Sequence, residues 1–316
     1  MGGLALLFPG QASQTVGMGV ELRSCSAHAR RLFQWADRIT GLPITQLCDE
    51  GPLERLTETD VAQPAVVATS LAALVVLREK AGDALRPTAV AGHSVGELSA
   101  YVAAGVLEEE QGLRLVHLRS RAMAAACAEV DGTMAAVLGL DEETLRLICA
   151  EVSYPDSVVE LANLNAPGQV VISGERGAVN RAVQRAKAAG ARRVLFLNVG
   201  GPFHSTYMRP AAAALAGAVD AAPFRPARLP VIGNVTGREV RSLDELRAEL
   251  SVQMYSPVRW TDSMRRLAEL GCDRFLVLGP GEAVAGLARR TLPEARIAIF
   301  GSPADLAAAL GVLRDT

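Results

Sequence analysis

A serine stands in the pattern Gly92-His93-Ser94-Val95-Gly96, directly after a short apolar run at residues 87–91 and before a helical pattern of small residues. This order predicts a strand, a sharp turn and a helix, and the flanking glycines permit the strained turn that exposes a serine hydroxyl. The backbone N–H of Val95 and the start of the helix would then stabilise negative charge on an attacked carbonyl oxygen. The same five-residue pattern also occurs in ordinary tight turns, so the flanking elements carry the prediction that Ser94 forms an acyl-enzyme.

A serine nucleophile needs a general base, which in most enzymes is a histidine. His28 lies on a polar face of a predicted helix, His117 lies within another helix, and His93 precedes the serine and so points to the opposite side of the turn. His204 follows the end of a predicted strand and the segment Gly200-Gly201-Pro202, and it precedes a predicted helix. Ligands of α/β proteins bind at such junctions, at the carboxyl ends of the strands. The pattern therefore predicts His204 as the base.

The acidic member of a hydrolase triad is missing from the pattern. In α/β-hydrolases the chain order is serine, acid and histidine, and the histidine commonly comes late in the sequence. No acidic residue stands out in a strand-end loop before His204, and no histidine follows it. This disfavours a lipase or an esterase without excluding either.

Two further features predict binding groups near the serine. Arg119 lies toward the apolar face of a predicted helix at residues 112–128. Most helix arginines lie at the surface, but a buried one needs an anion, and a substrate carboxylate held by two hydrogen bonds is a physical reason to keep it. The loop at residues 8–14 follows a predicted strand, and its backbone could supply a second donor to the carbonyl oxygen.

The composition limits the class of protein. The chain has 316 residues and a net charge of −2, which argues against a nucleic-acid-binding protein. The N-terminus lacks the pattern of a signal peptide, and the longest apolar stretch, residues 65–77, is too short to span a bilayer. Five scattered cysteines, never in zinc-site spacing, favour a reducing compartment without a structural metal: Cys25, Cys48, Cys127, Cys149 and Cys272. These features predict a soluble cytoplasmic protein without membrane contact.

Alternating elements predict the fold class. Helical patterns separate the predicted strands of the core, which lie near residues 4–8, 87–91, 230–234 and 275–278. The helical patterns run near residues 14–37, 53–57, 62–80, 108–128, 209–219, 243–254 and 260–270, with a final helix after residue 304. This alternation predicts an α/β protein with a central parallel sheet covered on both faces.

The middle of the chain follows a different order. Between residues 133 and 198 the predicted elements are strand, helix, strand, strand, helix and strand, which is the order of a ferredoxin-like unit. We therefore expect an α/β core made of residues 1–128 and 199–316, with a small inserted subdomain at residues 129–198.

Taken together, these motifs resemble the malonyl-CoA:acyl-carrier-protein transacylase family, which includes the acyltransferase domains of polyketide synthases. The matching motifs keep one order over nearly the whole chain. They are Phe8-Pro9-Gly10-Gln11-Ala12-Ser13-Gln14, Gln63-Pro64-Ala65, Gly92-His93-Ser94-Val95-Gly96-Glu97, Arg119-Ser120-Arg121-Ala122-Met123, Asn165-Ala166-Pro167-Gly168-Gln169, Phe203-His204-Ser205, Gln253-Met254-Tyr255-Ser256-Pro257-Val258-Arg259-Trp260 and Gly279-Pro280-Gly281.

The resemblance implies a hydrolase-like core, a ferredoxin-like insert and an active site in the cleft between them. By residue, it implies that Ser94 is acylated and that His204 is the base. It further implies an oxyanion hole from the N–H groups of Gln11 and Val95, a malonyl carboxylate held by Arg119, and a Gln253 carbonyl that orients His204 instead of an acid. The substrate pocket would include Gln63, Met123 and Phe203. Phe203 resembles members that select malonyl over branched acyl groups.

The implied reaction moves a malonyl group from coenzyme A to the phosphopantetheine thiol of an acyl carrier protein, in fatty-acid or polyketide synthesis. No bound cofactor or metal is expected, and the chain is expected to act as a monomer. Two alternatives stay open: a malonyl-loading subunit of a malonate decarboxylase, and a hydrolase of carrier-protein thioesters.

One residue departs from the family pattern, and one surface is a candidate for the carrier protein. The loop usually reads Gly-Gln-Gly-Ser-Gln, and Ala12 replaces its second glycine, which is harmless unless that residue needs a positive φ. A basic set on the insert predicts where an acidic carrier protein docks, although a solvated helix face explains it equally well. This set is Arg181, Arg185, Lys187, Arg192 and Arg193.

Overall fold

The computed structural model describes residues 2–314 and contains two β-sheets. Six strands form the larger sheet in the order β10-β9-β1-β2-β7-β8, and four form the smaller sheet in the order β4-β5-β3-β6. The strands are β1 (Gly3–Phe8), β2 (Ala89–Gly92), β3 (Gly132–Leu138), β4 (Val159–Ala166), β5 (Gln169–Glu175), β6 (Arg193–Phe196), β7 (Val231–Ile232), β8 (Glu239–Val240), β9 (Cys272–Leu278) and β10 (Arg296–Phe300).

Helices connect the strands and cover both sheets. They are α1 (Val20–Cys25), α2 (Ala27–Thr40), α3 (Ile44–Glu50), α4 (Leu53–Thr57), α5 (Thr59–Ala81), α6 (Gly96–Ala103), α7 (Glu109–Ala128), α8 (Glu142–Val152), α9 (Arg176–Ala188), α10 (Arg209–Ala221), α11 (Leu243–Val252), α12 (Trp260–Glu269), α13 (Glu282–Thr291) and α14 (Leu306–Leu313).

The larger sheet is parallel apart from the β7–β8 pair, as the alternating pattern predicted. Successive side chains of a strand point to opposite faces, so β1 divides its apolar residues between two cores. Leu4, Leu6 and Phe8 pack in a large cluster with residues of α5 and α7. Ala5 and Leu7 pack in a second cluster with residues of α12 and α13. Burial on both faces explains why the strand is a continuous apolar run.

The long helix α5 runs through the large cluster. Its residues from Val61 to Leu77 are all buried, including the ring of Pro64 within the helix. The segment Thr59–Ala84 is long and apolar enough to cross a bilayer by length and composition, although the apolar run at residues 65–77 is shorter. Protein surrounds this helix, because 94% of its most apolar window is buried. Its composition is thus that of a core helix.

The smaller sheet is antiparallel and carries α8 and α9 on one face. Its strand order, β4-β5-β3-β6, together with the chain order of its elements, is the ferredoxin-like arrangement. The backbone of Val258 joins this sheet to the core, since it donates to Ala162 O at 2.8 Å and accepts from Leu164 N at 2.8 Å. The division into residues 129–198 and the remaining chain stays a prediction.

Several element bounds differ from the predicted ones. The helix expected at residues 14–37 is two helices, because Ser26 ends α1 and accepts the Ala29 N–H as the N-cap of α2. Helices α3 and α13 and strands β8 and β10 were not predicted. Strand β10 is a short edge strand with a charged first residue and partly exposed isoleucines, so its apolar pattern is weak.

Glycines allow the chain to turn sharply between β2 and α6. A Cβ at Gly92 would lie 2.0 Å from the carbonyl group of Gly96, and one at Gly96 would lie 2.4 Å from Phe8 O. Both obstacles are backbone atoms, which cannot rotate away. The serine turn therefore depends on both glycines for steric reasons.

We expect Gly92→Ala to lower the free energy of unfolding by about 1–3 kcal/mol or more, because the added methyl group overpacks fixed backbone. Gly217→Ala is the matched control, since Gly217 is an exposed residue of α10 and a Cβ there would meet no other atom within 4 Å. That change should stabilise the protein by about 0.5–1 kcal/mol. Urea unfolding followed by circular dichroism measures both, and equal stabilities for the two variants would contradict the expectation.

Candidate active site

Ser94 lies in the turn between β2 and α6, and its hydroxyl meets a histidine from a distant segment. Ser94 Oγ is 2.7 Å from His204 Nε2, a distance typical of a hydrogen bond between a nucleophile and its base. His204 lies in the loop after the small sheet and is only 4% exposed. The structure therefore brings together the two residues that sequence patterns selected separately.

The surroundings of His204 determine which ring nitrogen carries the proton. Nδ1 lies 3.0 Å from the carbonyl oxygen of Gln253 and 3.1 Å from that of Ser256. Carbonyl oxygens only accept hydrogen bonds, so Nδ1 is the protonated nitrogen and Nε2 offers its lone pair to Ser94. Burial, and next the charge of Arg119, lower the pKa of His204 to about 3. The ring is neutral at physiological pH and able to accept a proton.

Three residues other than glycine have a positive φ within residues 2–314, and all three line the site. They are Ala12 at 72°, Ser94 at 52° and His204 at 56°. The left-handed region costs a residue with a Cβ about 1 kcal/mol or more, and such strain concentrates at functional sites. Ala12 stands where the family pattern has a glycine, and its backbone is in the left-handed conformation that favours glycine. The replacement by alanine therefore carries a conformational cost.

Arg119 is fully buried in α7 and reaches the serine directly. Its Nη2 lies 3.2 Å from Ser94 Oγ and 2.9 Å from Gln253 Oε1, while Nη1 donates to Gln63 Oε1 at 2.6 Å. Nε has no hydrogen-bond partner, and no carboxylate of the described chain forms an ion pair with this guanidinium. Burial lowers the pKa of Arg119 to about 10, so the side chain still carries its charge at neutral pH.

Gln253 connects four of these groups through its side chain and backbone. Its Oε1 accepts from Arg119, and its Nε2 donates to the Ser94 carbonyl oxygen at 3.0 Å and to the buried carboxyl of Glu97. Its carbonyl oxygen is one of the two acceptors for His204. Because the amide orientation is set by a donor on one side and acceptors on the other, this glutamine holds Arg119 and His204 in fixed positions relative to Ser94.

The N–H groups of Gln11 and Val95 are available as donors. Val95 immediately precedes α6, so its N–H is not used within the helix, and neither N–H donates a hydrogen bond within residues 2–314. Both residues lie beside the serine, Val95 next to it in sequence and Gln11 on the cavity wall. Two free N–H groups next to a nucleophile can stabilise an oxyanion.

A cavity of about 440 Å³ opens onto Ser94 between the two sheets. Gln63, Met123 and Phe203 line its inner end, and Gln63 donates to Gln11 Oε1 at 3.2 Å. Strands of the small sheet line the opposite wall, and α13 lies at the mouth. The guanidinium of Arg290, on α13, donates to Gln169 Oε1 at 3.0 Å and so links the two walls.

The remaining histidines lie away from the serine hydroxyl. His93 is partly buried, its Nε2 lies 2.8 Å from Asn165 Oδ1, and its ring contacts Trp260 edge-on. His28 pairs with Glu109 at 2.6 Å. His117 is a partly buried residue of α7. Within the described chain, no group of three His, Cys, Asp or Glu side chains is placed to hold a metal ion.

The predicted basic surface divides into two parts. Arg181 donates to Val152 O and Ser157 Oγ, and Arg185 forms an ion pair with Glu151 at 2.7 Å. These two cations are therefore engaged within the small sheet's own helices. The exposed side chains of Lys187, Arg192 and Arg193 form no ion pair within residues 2–314.

Three residues that support the serine turn were not predicted from the sequence to do so: Asn234, Glu97 and Glu249. Asn234 follows β7, and its side chain hydrogen-bonds to Gly92 O and to Ser94 N, the backbone groups on either side of His93. Glu97 and Glu249 are buried carboxyls that accept the N–H groups of Asn234 and Val235. Burial raises the pKa of Glu97 well above its usual range, helped by Glu249, whose own pKa burial raises to about 7. The available signal was an asparagine as the last residue of the strand predicted at residues 230–234, between Gly233 and Gly237.

Comparison with known proteins identifies the family. The model of the acyl transferase domain family matches residues 5–310. The malonyl CoA-acyl carrier protein transacylase of Bacillus subtilis is 39% identical to the chain, covering 100% of this chain and 98% of that protein.

Solved structures agree with this assignment. The crystal structure of malonyl-CoA:acyl carrier protein transacylase from Xanthomonas oryzae superposes with a TM-score of 0.93 at 38% identity, covering 98% of each chain. A malonyl-transacylase solved in complex with its type II PKS acyl-carrier protein superposes with a TM-score of 0.92 at 39% identity, covering 98% of this chain and 99% of that one. The chain therefore belongs to the acyl transferase domain family, among the malonyl-CoA:acyl-carrier-protein transacylases.

Proposed function

We propose that this enzyme transfers a malonyl group from coenzyme A to the phosphopantetheine thiol of an acyl carrier protein, in fatty-acid or polyketide synthesis. The observation that carries the proposal is the position of Arg119 Nη2, 3.2 Å from Ser94 Oγ. In a malonyl group attached to Ser94, a single methylene group would separate the free carboxylate from the ester carbonyl. A buried guanidinium beside the nucleophile is therefore suited to an acyl group with a terminal carboxylate.

The first half-reaction acylates the serine. His204 Nε2 accepts the hydroxyl proton as Ser94 Oγ attacks the thioester carbonyl carbon. The N–H groups of Gln11 and Val95 bind the oxyanion, and the carbon–sulfur bond breaks as the proton passes from His204 to the departing thiol of coenzyme A. The two backbone carbonyls on Nδ1 stabilise the charged imidazole, which is the role of the acid in a hydrolase triad.

The second half-reaction reverses these steps with a new thiol. His204 accepts the proton of the phosphopantetheine thiol, whose sulfur attacks the malonyl ester, and Ser94 leaves with that proton. Gln63 and Gln253 fix Arg119, so the malonyl carboxylate stays in place between the two steps. Met123 and Phe203 line the inner end of the cavity, where they limit the size of the acyl group.

We further propose that the enzyme is cytoplasmic and acts as a monomer. All five cysteines are free thiols, as expected for a protein of a reducing compartment. Residues 129–198 would form the small domain, and the cleft between it and the core of residues 1–128 and 199–316 would admit the phosphopantetheine arm.

Part of the small domain is suited to contact the acyl carrier protein. Strand β6 is an edge strand of the small sheet, and the basic residues Arg192 and Arg193 lie at its start. The side chains of Leu195 and Phe196 are 41% and 53% exposed, and the chain continues from β6 into the cavity wall at Leu197 and Val199. Exposed cations next to apolar side chains would match an acidic carrier protein whose arm enters the cleft.

Ser94→Ala should abolish acylation by malonyl-CoA, because the covalent intermediate forms on the hydroxyl. Mass spectrometry of wild-type protein mixed with malonyl-CoA should show one malonyl adduct, on the peptide that contains Ser94. Ser99→Ala is the matched control, since Ser99 is a buried serine of α6 whose hydroxyl has no hydrogen-bond partner. An adduct on another residue would contradict the assignment. Loss of the adduct to water faster than to the carrier protein would instead favour the thioester hydrolase.

Arg119→Ala should change selectivity more than it impairs the chemistry. Loss of a buried charge-assisted hydrogen bond costs about 2–4 kcal/mol, so malonyl transfer should fall about 30- to 1,000-fold. Acetyl transfer needs no carboxylate contact and should hold or rise. Arg121→Ala, an exposed arginine of the same helix, is the control. Equal losses for malonyl and acetyl transfer would show that Arg119 has only a structural role.

The double variant Arg192→Glu, Arg193→Glu should raise the apparent KM for the carrier protein about 3- to 10-fold, as expected when exposed charge pairs of up to about 1 kcal/mol each are lost. Self-acylation from malonyl-CoA should not change, and added salt should weaken the wild-type interaction because it screens exposed charges. The double variant Arg30→Glu, Arg31→Glu on the exposed face of α2 controls for net charge. Unchanged carrier-protein kinetics in the β6 variant would place the docking surface elsewhere.

A further inference from the structure

Asn234 holds the two peptide groups that lead from β2 into Ser94. It lies in the loop between β7 and β8 and is 1% exposed. Its Oδ1 accepts the Ser94 N–H at 2.7 Å, and its Nδ2 donates to Gly92 O at 2.7 Å. One amide thus spans the peptide groups before and at the serine.

The backbone of Asn234 is itself held in place. Its N–H donates to Glu97 Oε1 at 3.2 Å, and its carbonyl oxygen accepts the Arg259 N–H at 2.8 Å. The next N–H, that of Val235, donates to Glu249 Oε1 at 2.5 Å. Every polar group of Asn234 is therefore paired, and a residue so fully paired is rigid.

This bracing acts on a strained residue. Ser94 has a φ of 52°, which a residue with a Cβ adopts only when its surroundings enforce it. Asn234 binds the Ser94 N–H, while Gln253 Nε2 binds the Ser94 carbonyl oxygen at 3.0 Å from the other side. Asn234 already binds the Ser94 N–H. The N–H of Val95 is therefore the backbone donor of this turn that remains free to face the cavity.

The chemistry of the side chain is specific. The Ser94 N–H requires an acceptor and Gly92 O requires a donor, and a neutral amide supplies both at once. A carboxylate supplies only the acceptor and would place negative charge against the Gly92 oxygen. A protonated carboxyl group again supplies both, so protonation of an aspartate here restores the pairing that asparagine makes.

We propose that Asn234 is a positioning residue for acyl transfer: it holds the backbone of Ser94 so that Oγ faces His204 and the Val95 N–H faces the substrate carbonyl. Asn234 is not among the residues that line the cavity, so it acts through Ser94 and not on the substrate. The inference rests on the transfer reaction proposed above.

The test is the rate of a single acylation of the enzyme by malonyl-CoA, followed by rapid quenching and mass spectrometry from pH 5 to 8. In Asn234→Asp, the rate at saturating malonyl-CoA should fall about 10- to 100-fold at pH 8, with the KM for malonyl-CoA unchanged, because the hydrogen bond to Gly92 O is lost and a negative charge faces that oxygen. The rate should recover toward the wild-type value as the pH falls and the new carboxyl group is protonated. Burial and the nearby carboxyls raise the pKa of that group above the usual value for aspartate.

Other ionisable groups near the loop titrate in both proteins. Those that face it are Glu97 from α6, Glu249 from α11, Asp262 from α12, with Tyr101 and His204 close by. The ratio of variant to wild-type rates at each pH removes their contribution. Asn180→Asp, on the exposed face of α9, is the matched control and should keep a ratio near one throughout.

Asn234→Ser covers the case in which the aspartate variant does not fold at neutral pH. Its short hydroxyl cannot span the turn, so acylation should be slow at every pH without acid recovery, and thermal unfolding shows whether the protein is folded. A folded variant, aspartate or serine, that acylates at the wild-type rate at pH 8 would overturn the inference. So would an aspartate variant that stays slow at pH 5. Failure of the wild-type enzyme to take up a malonyl group would instead overturn the proposed function itself.

Discussion

The site is organised around a positive charge buried at Arg119. Removing a guanidinium from water is costly unless it is paired, yet within the described chain this one contacts only neutral oxygens, those of Gln63, Gln253 and Ser94. The buried carboxyl of Glu97 does not contact the guanidinium directly. The side-chain amide of Gln253 lies between them, since it accepts from Arg119 and donates to Glu97. Burial, and next the charge of Arg119, lower the pKa of His204, so its ring stays neutral. In the function proposed above, an acyl group with its own carboxylate would supply the anion that the described chain does not place at this guanidinium.

A second constraint is backbone strain: within residues 2–314, the residues other than glycine that have a positive φ all line the cavity that opens onto Ser94. The positive φ values of Ala12, Ser94 and His204 are an unfavourable backbone conformation in the loop after β1, in the serine turn and at the histidine that contacts Ser94. Hydrogen bonds from the surroundings offset this strain: the His204 N–H donates to Met254 O at 3.0 Å, and Asn234 and Gln253 hold Ser94. The strained conformations lower the stability of the folded protein, but they hold the side chains of the site in a fixed geometry.

The topology explains how such distant residues meet. Strands β1, β2 and β7 are neighbours in the parallel part of the sheet, and their carboxyl ends deliver the Gln11 loop, Ser94 and Asn234 to one edge. Ligands of open α/β sheets bind at this edge for the same reason. Strands of the small sheet form one wall of the cavity. Backbone hydrogen bonds between Val258 and β4 attach this sheet to the core. The larger sheet thus positions the polar groups around Ser94, and the small sheet lines the cavity that leads to them.

The amino-acid sequence alone determined the features that are encoded in consecutive residues. The parallel core, the ferredoxin-like unit and the serine turn follow from apolar periodicity and flanking glycines, and the strand-end position of His204 follows from the same patterns. Tertiary structure decided what depends on residues far apart in the chain. Asn234 lies 140 residues from Ser94, and its position at the end of a predicted strand does not show that it binds the serine turn. The burial of Arg119 without a carboxylate, the internal pairing of Arg181 and the left-handed conformation of Ala12 likewise arise from packing, because only the folded chain brings partners together or withholds them.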